Sequence, residues 1–409
     1  MAITIIQEPQ RITPGTNPVE WVFESDQASQ PNFSFIVELF INGVYHSTHE
    51  VYVQDINSGR FDASEILRSF LFSNLVTDGT LAQVYNGAYA FVKIQVYQKY
   101  GTPPSLYDDY QQSNTTIVYN GALRHQDWIN YDFQNYNASR DNSLTTNPTQ
   151  VKFLTTFPRD AKAILAKVKA FVAMDQSCFL GIFSTDEELR INIRLFTSAG
   201  VQIVTQSIPL TFPQFVIIDC SPQTIIANTS ITGLQFDSAA YYQVLVQGMG
   251  MGSNPGVSES FRFYLDKECK RYQTRRLHWL NKFGVWDSMS FDLDSIDTTE
   301  VSSIDYARNK GLWNNGEHSY PLYQGQMVNA SKSSQDKTVI NSDWMKPEVQ
   351  QWLVRELGES PKVYLEVEGG FEPVKVDNTS YQLKTRKRNG LIQEQFTLTR
   401  TYSYISQLN

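Results

Sequence analysis

Two stretches of this chain carry the same ordered set of β signals at the same spacing. In the first, Leu39-Phe40-Ile41-Asn42-Gly43-Val44 precedes Asp62-Ala63-Ser64. In the second, Leu195-Phe196-Thr197-Ser198-Ala199-Gly200-Val201 precedes Asp219-Cys220-Ser221. Gly43 to Asp62 and Gly200 to Asp219 are each 19 steps (62 − 43 and 219 − 200). Beyond each lies an alternating stretch, Tyr89 to Val96 and Tyr241 to Val246. Asn42-Gly43 suits a type I′ turn, which needs positive φ at both central residues, so it predicts a hairpin. Two related sandwiches would give this recurrence; two unrelated β domains with similar hairpin chemistry would also give it.

The intervening patterns agree. Val19 to Phe23 alternates, and Val92, Ile94 and Val96 point one way while Lys93 and Gln95 point the other. Asp62 with Glu65 has the spacing of a capping box, ahead of a short helix bearing Ile66, Leu67, Phe70 and Leu71. Pro347–Leu357 predicts a helix with Val349, Trp352, Leu353 and Leu357 on one stripe and Asp343 near enough to cap it. Val363 to Ile405 predicts a β-meander with turns at Gly369-Gly370 and Asn389-Gly390. The second hairpin would run roughly Tyr381–Arg388 against Leu391–Tyr404. Asp294 to Lys337 is polar and reads as irregular. The expected fold is therefore mainly β: two tandem β-sandwich domains (Ig/fibronectin-like or jelly-roll-like), then a C-terminal α+β domain with a β-meander. The expected boundaries are 1–134 for the first sandwich, a linker at 135–150, 151–269 for the second sandwich, and 270–409 as an α+β assembly domain.

At 409 residues and 41% hydrophobic, the chain can fill more than one core. A formal charge of −8 argues against a general nucleic-acid binder, and no sequence-specific nucleic-acid contact is expected. Met1–Gln10 has neither a basic n-region nor an apolar h-region, so no signal peptide is expected. No apolar run approaches a membrane-spanning length, so no membrane insertion is expected. Cys178, Cys220 and Cys269 are far apart and odd in number, and are expected as buried free thiols.

The chemistry-bearing residues resolve into structural readings. His46 and His49 sit three apart on a strand and so face opposite sides, unlike a helical metal pair. Asp287, Asp292, Asp294 and Asp297 lack the glycine and terminal glutamate of a calcium loop; a strand with an acidic outer face accounts for them. Gly248, Gly250 and Gly252 have the wrong spacing for a dinucleotide loop and precede a strand rather than a helix. No nucleophile elbow or phosphate loop is present. The chain is expected not to be an enzyme and to need no cofactor or metal.

The densest run of large side chains is Arg271–Leu293. Tyr272, Leu277, Trp279, Leu280, Phe283, Trp286 and Phe291 are too many large groups for one exposed loop, and Gly284 would supply a turn. An inter-domain core is one reading. The other is a subunit interface anchored by Arg275, Arg276, His278, Trp279 and Trp286, since Trp and Arg are enriched at hot spots. Lys384, Arg386 and Arg388 would share one face of the long hairpin. They could meet an acidic neighbour or phosphate, or could protect a strand edge.

Arg276-Leu277-His278-Trp279-Leu280-Asn281-Lys282-Phe283-Gly284-Val285-Trp286-Asp287 resembles the xLxFLNxxGGxD segment of virion structural proteins from tailed phages of Bacteroidota, including crAss-like phages, with Val285 in place of the second glycine. Pro18-Val19-Glu20-Trp21, Gln30-Pro31-Asn32-Phe33-Ser34-Phe35 and Ser360-Pro361-Lys362-Val363-Tyr364-Leu365 fit the same family. The resemblance implies a multi-copy tail, neck or ring protein. Its partners would be further copies of itself, as a homo-oligomeric ring, and other virion proteins. The alternative is a carbohydrate- or receptor-binding tail-fibre or baseplate protein using exposed aromatics.

Overall fold

The computed structural model describes residues 3–54, 57–75, 78–139, 151–158, 169–185, 189–210, 214–248, 256–307, 312–314, 316–319, 327–377 and 392–406. It is mainly β, with 53% strand and 11% helix. The chain forms two compact units: Met1–Lys267 with Leu280–Ser288, and Glu268–Trp279 with Met289–Asn409.

The first unit holds two sandwiches. In one, Glu20–Ser25 lies between Ile3–Gln7 and Ser58–Asp62. The facing sheet has the order Ile12–Pro14, Thr116–Tyr119, Tyr89–Gly101, Ser34–Ile41, Val44–Val51, with Pro104–Gln112 also on Tyr89–Gly101. Alternation drives this: Trp21, Phe23 and Phe61 from one sheet meet Phe35, Val37, Leu39, Val92, Ile94 and Val96 from the other, all buried. In the second sandwich, the sheet Asn137–Ala138, Phe179–Ser184, Phe215–Asp219, Ala82–Val84 faces Ala170–Val172, Phe261–Leu265, Tyr241–Gly248, Leu189–Phe196, Gln202–Leu210. Leu180, Ile182, Val216 and Ile218 pack with Ile191, Ile193, Val244 and Val246. The strand Ala82–Val84 comes from the sequence of the first sandwich but completes a sheet of the second.

One strand order serves both sandwiches. Ser34–Ile41 pairs with the next strand through a tight hairpin and with Tyr89–Gly101 on its other side. Leu189–Phe196 does the same with Gln202–Leu210 and Tyr241–Gly248. The turns depend on positive φ, 51° at Asn42, 79° at Gly43 and 78° at Gly200. Each aspartate ends a strand and turns the chain. Asp62 Oδ1 accepts from the amides of Ser64 (2.9 Å) and Val19 (3.0 Å). Asp219 Oδ1 accepts from the Ser221 amide (2.9 Å), and its Oδ2 accepts from the Thr224 hydroxyl (2.8 Å). The expected capping box is absent: the helix is the single turn Ser64–Leu67, Asp62 bonds just ahead of it, and Glu65 instead pairs with Arg68 at 2.8 Å.

The second unit is built on a sheet in the order Arg275–Leu280, Val363–Val367, Gly370–Val376, Gln395–Ile405, Met327–Asn341, Ser295–Ala307. Helix Pro347–Glu359 buries Val349, Trp352, Leu353, Val354 and Leu357. Asp343 does not cap it; its carboxylate accepts from the adjacent Trp344 amide. Among the described residues, the stretch expected to be irregular is largely regular. Ser295–Ala307 and Met327–Asn341 form a long antiparallel ribbon, in which Thr, Val and Ile suit extended backbone although Ser295–Ala307 buries neither face. Cys178 and Cys220 are buried, whereas Cys269 is exposed.

The hairpin joining Arg275–Leu280 to Trp286–Phe291 turns at Gly284, with φ of +73°. A Cβ there would stand 2.1 Å from the Asn120 carbonyl oxygen. Gly43 has a similar φ but open space around it. Gly43→Ala should therefore cost only backbone strain, about 1 kcal/mol. Gly284→Ala should cost more, because strain and clash add, and the difference will show as a larger fall in Tm for Gly284→Ala in parallel thermal melts.

Candidate functional site

The run Arg271–Leu293 is divided between the units, and each part is engaged within its own. In the second unit, Arg276 is 3% exposed. Its Nε lies 3.5 Å from Glu366, and its Nη1 donates to Ser290 Oγ at 2.8 Å. His278 is fully buried, with Nε2 3.0 Å from Glu366 and its ring edge-on to Phe371. A neutral imidazole facing a carboxylate must carry its proton on Nε2. Burial pushes the His278 pKa down, against the opposing pull of Glu366. Trp279 is buried against Trp352, ring centroids 5.4 Å apart. Arg275 is the most accessible of the set and reaches Asp297 at 2.7 Å, whose other oxygen accepts from Thr338.

In the first unit, Trp286 is buried and its Nε1 donates to Tyr85 Oη at 2.8 Å. Asn281 closes the turn: its Oδ1 accepts from the amides of Phe283 and Val285, and its Nδ2 donates to the Leu154 carbonyl. Asp287 is buried, not part of an acidic outer face. It accepts from both Thr155 and Thr156 hydroxyls and from the Thr156 amide (3.0 Å). Burial raises its pKa and these hydrogen bonds oppose the rise. Asp292 stays outside, 3.1 Å from Lys270.

Arg276, His278, Trp279 and Trp286 are thus enclosed by this chain and offer little to a neighbour. Lys384, Arg386 and Arg388, with the rest of the hairpin tip, lie outside the described residues. Glu366, which both Arg276 and His278 use, sits on a meander strand 88 residues from His278; local pattern could not pair them.

What projects instead is an arm made of Ser295–Ala307, Met327–Asn341 and the end of Gln395–Ile405. After Ser295, every residue of the first strand is exposed. At about 3.4 Å per residue this 13-residue strand runs on the order of 40 Å. Polar pairs bind the ribbon, including Lys337 to Glu300 (2.8 Å) and Ser302 to Ser333 (2.7 Å). Register sets Val301 opposite Ser334 and Ser334 opposite Tyr404, so Val301 and Tyr404 share one face. Ile304 and Ile405 share the other. These four are 62–69% exposed. Ser295–Ala307 ends the sheet, so its outer backbone edge is unpaired among the described residues. It carries no Lys or Pro; its charges are Asp297, Glu300 and Asp305, and the first two are paired to Arg275 and Lys337.

Among the described residues, no group of three or more His, Cys, Asp or Glu could hold a metal ion, and no helix is long and apolar enough to cross a membrane. No family model matches the chain, and no curated protein does. Among solved structures it has faint likenesses. One is to the plexin A4 extracellular region (10% identity, 66% of this chain and 21% of that one, TM-score 0.18). Another is to Dpr2 Ig1–Ig2 in complex with DIP-Theta Ig1–Ig3 (8%, 97% and 89%, 0.20). A third is to an FMN-binding β-glucuronidase from Facaelibacterium prausnitzii L2-6 (12%, 66% and 35%, 0.14). The chain spans about a fifth of the plexin's length. Likenesses of this size carry no argument about function.

The buried histidine gives a pH prediction. Its folded pKa lies below the ordinary 6.5, so the unfolded chain takes up a proton that the folded chain resists. That contribution leaves stability unchanged above the unfolded pKa and lowers it as pH falls below about 6.5. His278→Gln should therefore narrow the drop in Tm between pH 7 and pH 5 relative to the unaltered protein. An equal drop in both would show that His278 does not contribute.

Proposed function

We propose that this protein is a structural component of a tailed-phage virion, a multi-copy tail, neck or ring protein of the Bacteroidota type, which assembles through its arm. The observation that carries this reading is the arm itself: a long strand with an edge unpaired among the described residues and exposed Val301, Ile304, Tyr404 and Ile405. A monomer gains nothing from such an edge and risks aggregation by it. A subunit gains a ready strand for a neighbour to extend, with main-chain hydrogen bonds giving affinity and side chains giving register. The resemblance around Arg276–Asp287 supplies the virion context. The segment itself acts as an internal fastening that gives each copy its shape. No cofactor or catalytic step belongs to this reading.

Purified protein should form a discrete oligomer in analytical ultracentrifugation. Val301→Lys with Tyr404→Lys should shift it to monomer without lowering Tm, since exposed positions typically change stability by only about 0.5 kcal/mol. A wild-type chain that stays monomeric at every concentration, and is absent from purified particles, would overturn the reading.

A further inference from the structure

On the outward face of the sheet Ala170–Val172, Phe261–Leu265, Tyr241–Gly248, Leu189–Phe196, Gln202–Leu210, the described residues are mainly aromatic and cationic. Register brings Phe171, Tyr264, Tyr241 and Phe196 into one row across four strands. Ring centroids along it are 5.9, 5.6 and 5.1 Å apart. Arg194 lies opposite Gln243 and Gln243 opposite Arg262 in the next row. Lys169 and Arg190 share this face by alternation. The chain carries a formal charge of −8, yet the described residues of this face include four cations, against one carboxylate, Asp266, which alternation places beyond Tyr264 at its border. Arg194 Nε spends one donor on Asn192 at 2.7 Å, and Arg262 Nη1 reaches Tyr264 Oη at 3.2 Å.

The ring faces are already occupied. The Arg262 guanidinium sits 4.4 Å from the Tyr241 centroid, Phe196 stacks on Tyr241, and Lys169 lies 4.6 Å from the Tyr264 centroid. The face therefore presents cationic donors and phenol hydroxyls outward rather than bare rings. That suits carboxylates on a polypeptide better than stacked bases or sugar rings.

The chain has a matching surface elsewhere on the same unit. Strand Pro104–Gln112 hangs on the sheet edge beside Tyr89–Gly101, and its pairing shifts between Tyr97 and Gln98. The resulting irregularity lets both Asp108 and Asp109 project, exposed, between Leu106 and Tyr110, which are each about half exposed. No described cation pairs with either aspartate.

Building on the proposed structural role, we infer that the Lys169–Arg194–Arg262 face of one copy receives the Tyr107-Asp108-Asp109-Tyr110 edge of a second copy. The two surfaces are different, so the contact is head-to-tail and leads to a ring if the rotation closes. Charge sets the orientation, and burial of Leu106 and Tyr110 adds to the affinity.

A charge exchange tests this in the full chain. Arg194→Glu with Arg262→Glu, and separately Asp108→Lys with Asp109→Lys, should each raise the concentration needed for the oligomer at least tenfold in sedimentation. The chain carrying all four changes should recover it. The aspartates are exposed, so that pair reads the contact even if the arginine pair harms folding; melts of each variant check this. If both pairs assemble like the unaltered protein, the contact is wrong while the structural role stands. If the arginine pair loses binding to an anionic polysaccharide with assembly intact, the face is a glycan site and the inference is overturned. If the unaltered chain is monomeric, the structural role itself has failed.

Discussion

The turn at Asn281–Val285 is the constraint on which the rest depends. Gly284 lies in a left-handed conformation hard against the Asn120 carbonyl, where no side chain fits. Asn281 satisfies the turn's amides and holds the Leu154 carbonyl. With the turn fixed, one hairpin supplies both units. Trp286 and Asp287 enter the core of the first, while Arg276, His278 and Trp279 enter the core of the second. Arg275, Arg276, His278 and Lys282 are tied to Asp297, Glu366 and Asp127, so most of the most conspicuous sequence in the chain is internal fastening.

That outcome reassigns where a neighbour would touch. Buried Arg276 and His278 share Glu366, and separating such a group from its partner typically costs several kcal/mol. They are poor material for a contact that must form after folding. The arm and the cationic sheet face have the opposite character: accessible donors, an unpaired edge and apolar side chains with nothing over them among the described residues.

The sandwiches were readable because each strand buries one face. Val92, Ile94 and Val96 alternate with Lys93 and Gln95, and Asn42-Gly43 names its own turn. The arm was not, because Ser295–Ala307 buries neither face and so has no apolar period. Asp287 was grouped with Asp292, Asp294 and Asp297 by proximity in sequence, but burial is set by Thr155 and Thr156, more than 130 residues earlier. The place of Ala82–Val84 in the second sandwich, and the meeting of Arg194 with Arg262 on one face, likewise depend on strand register between distant segments. Capping was misjudged at Asp62 and Asp343 for a smaller reason. An aspartate near a helix start has several amides within reach, and the nearest turn took it.

Hydrogen–deuterium exchange along Ser295–Ala307, measured across a wide range of protein concentration, tests the proposed assembly through the arm most directly. If this edge is the strand a neighbour extends, its outward amides exchange quickly in the dilute protein and become protected on assembly, while the buried strand Leu189–Phe196 is unchanged. Equal, fast exchange of the arm in monomer and oligomer would contradict the account.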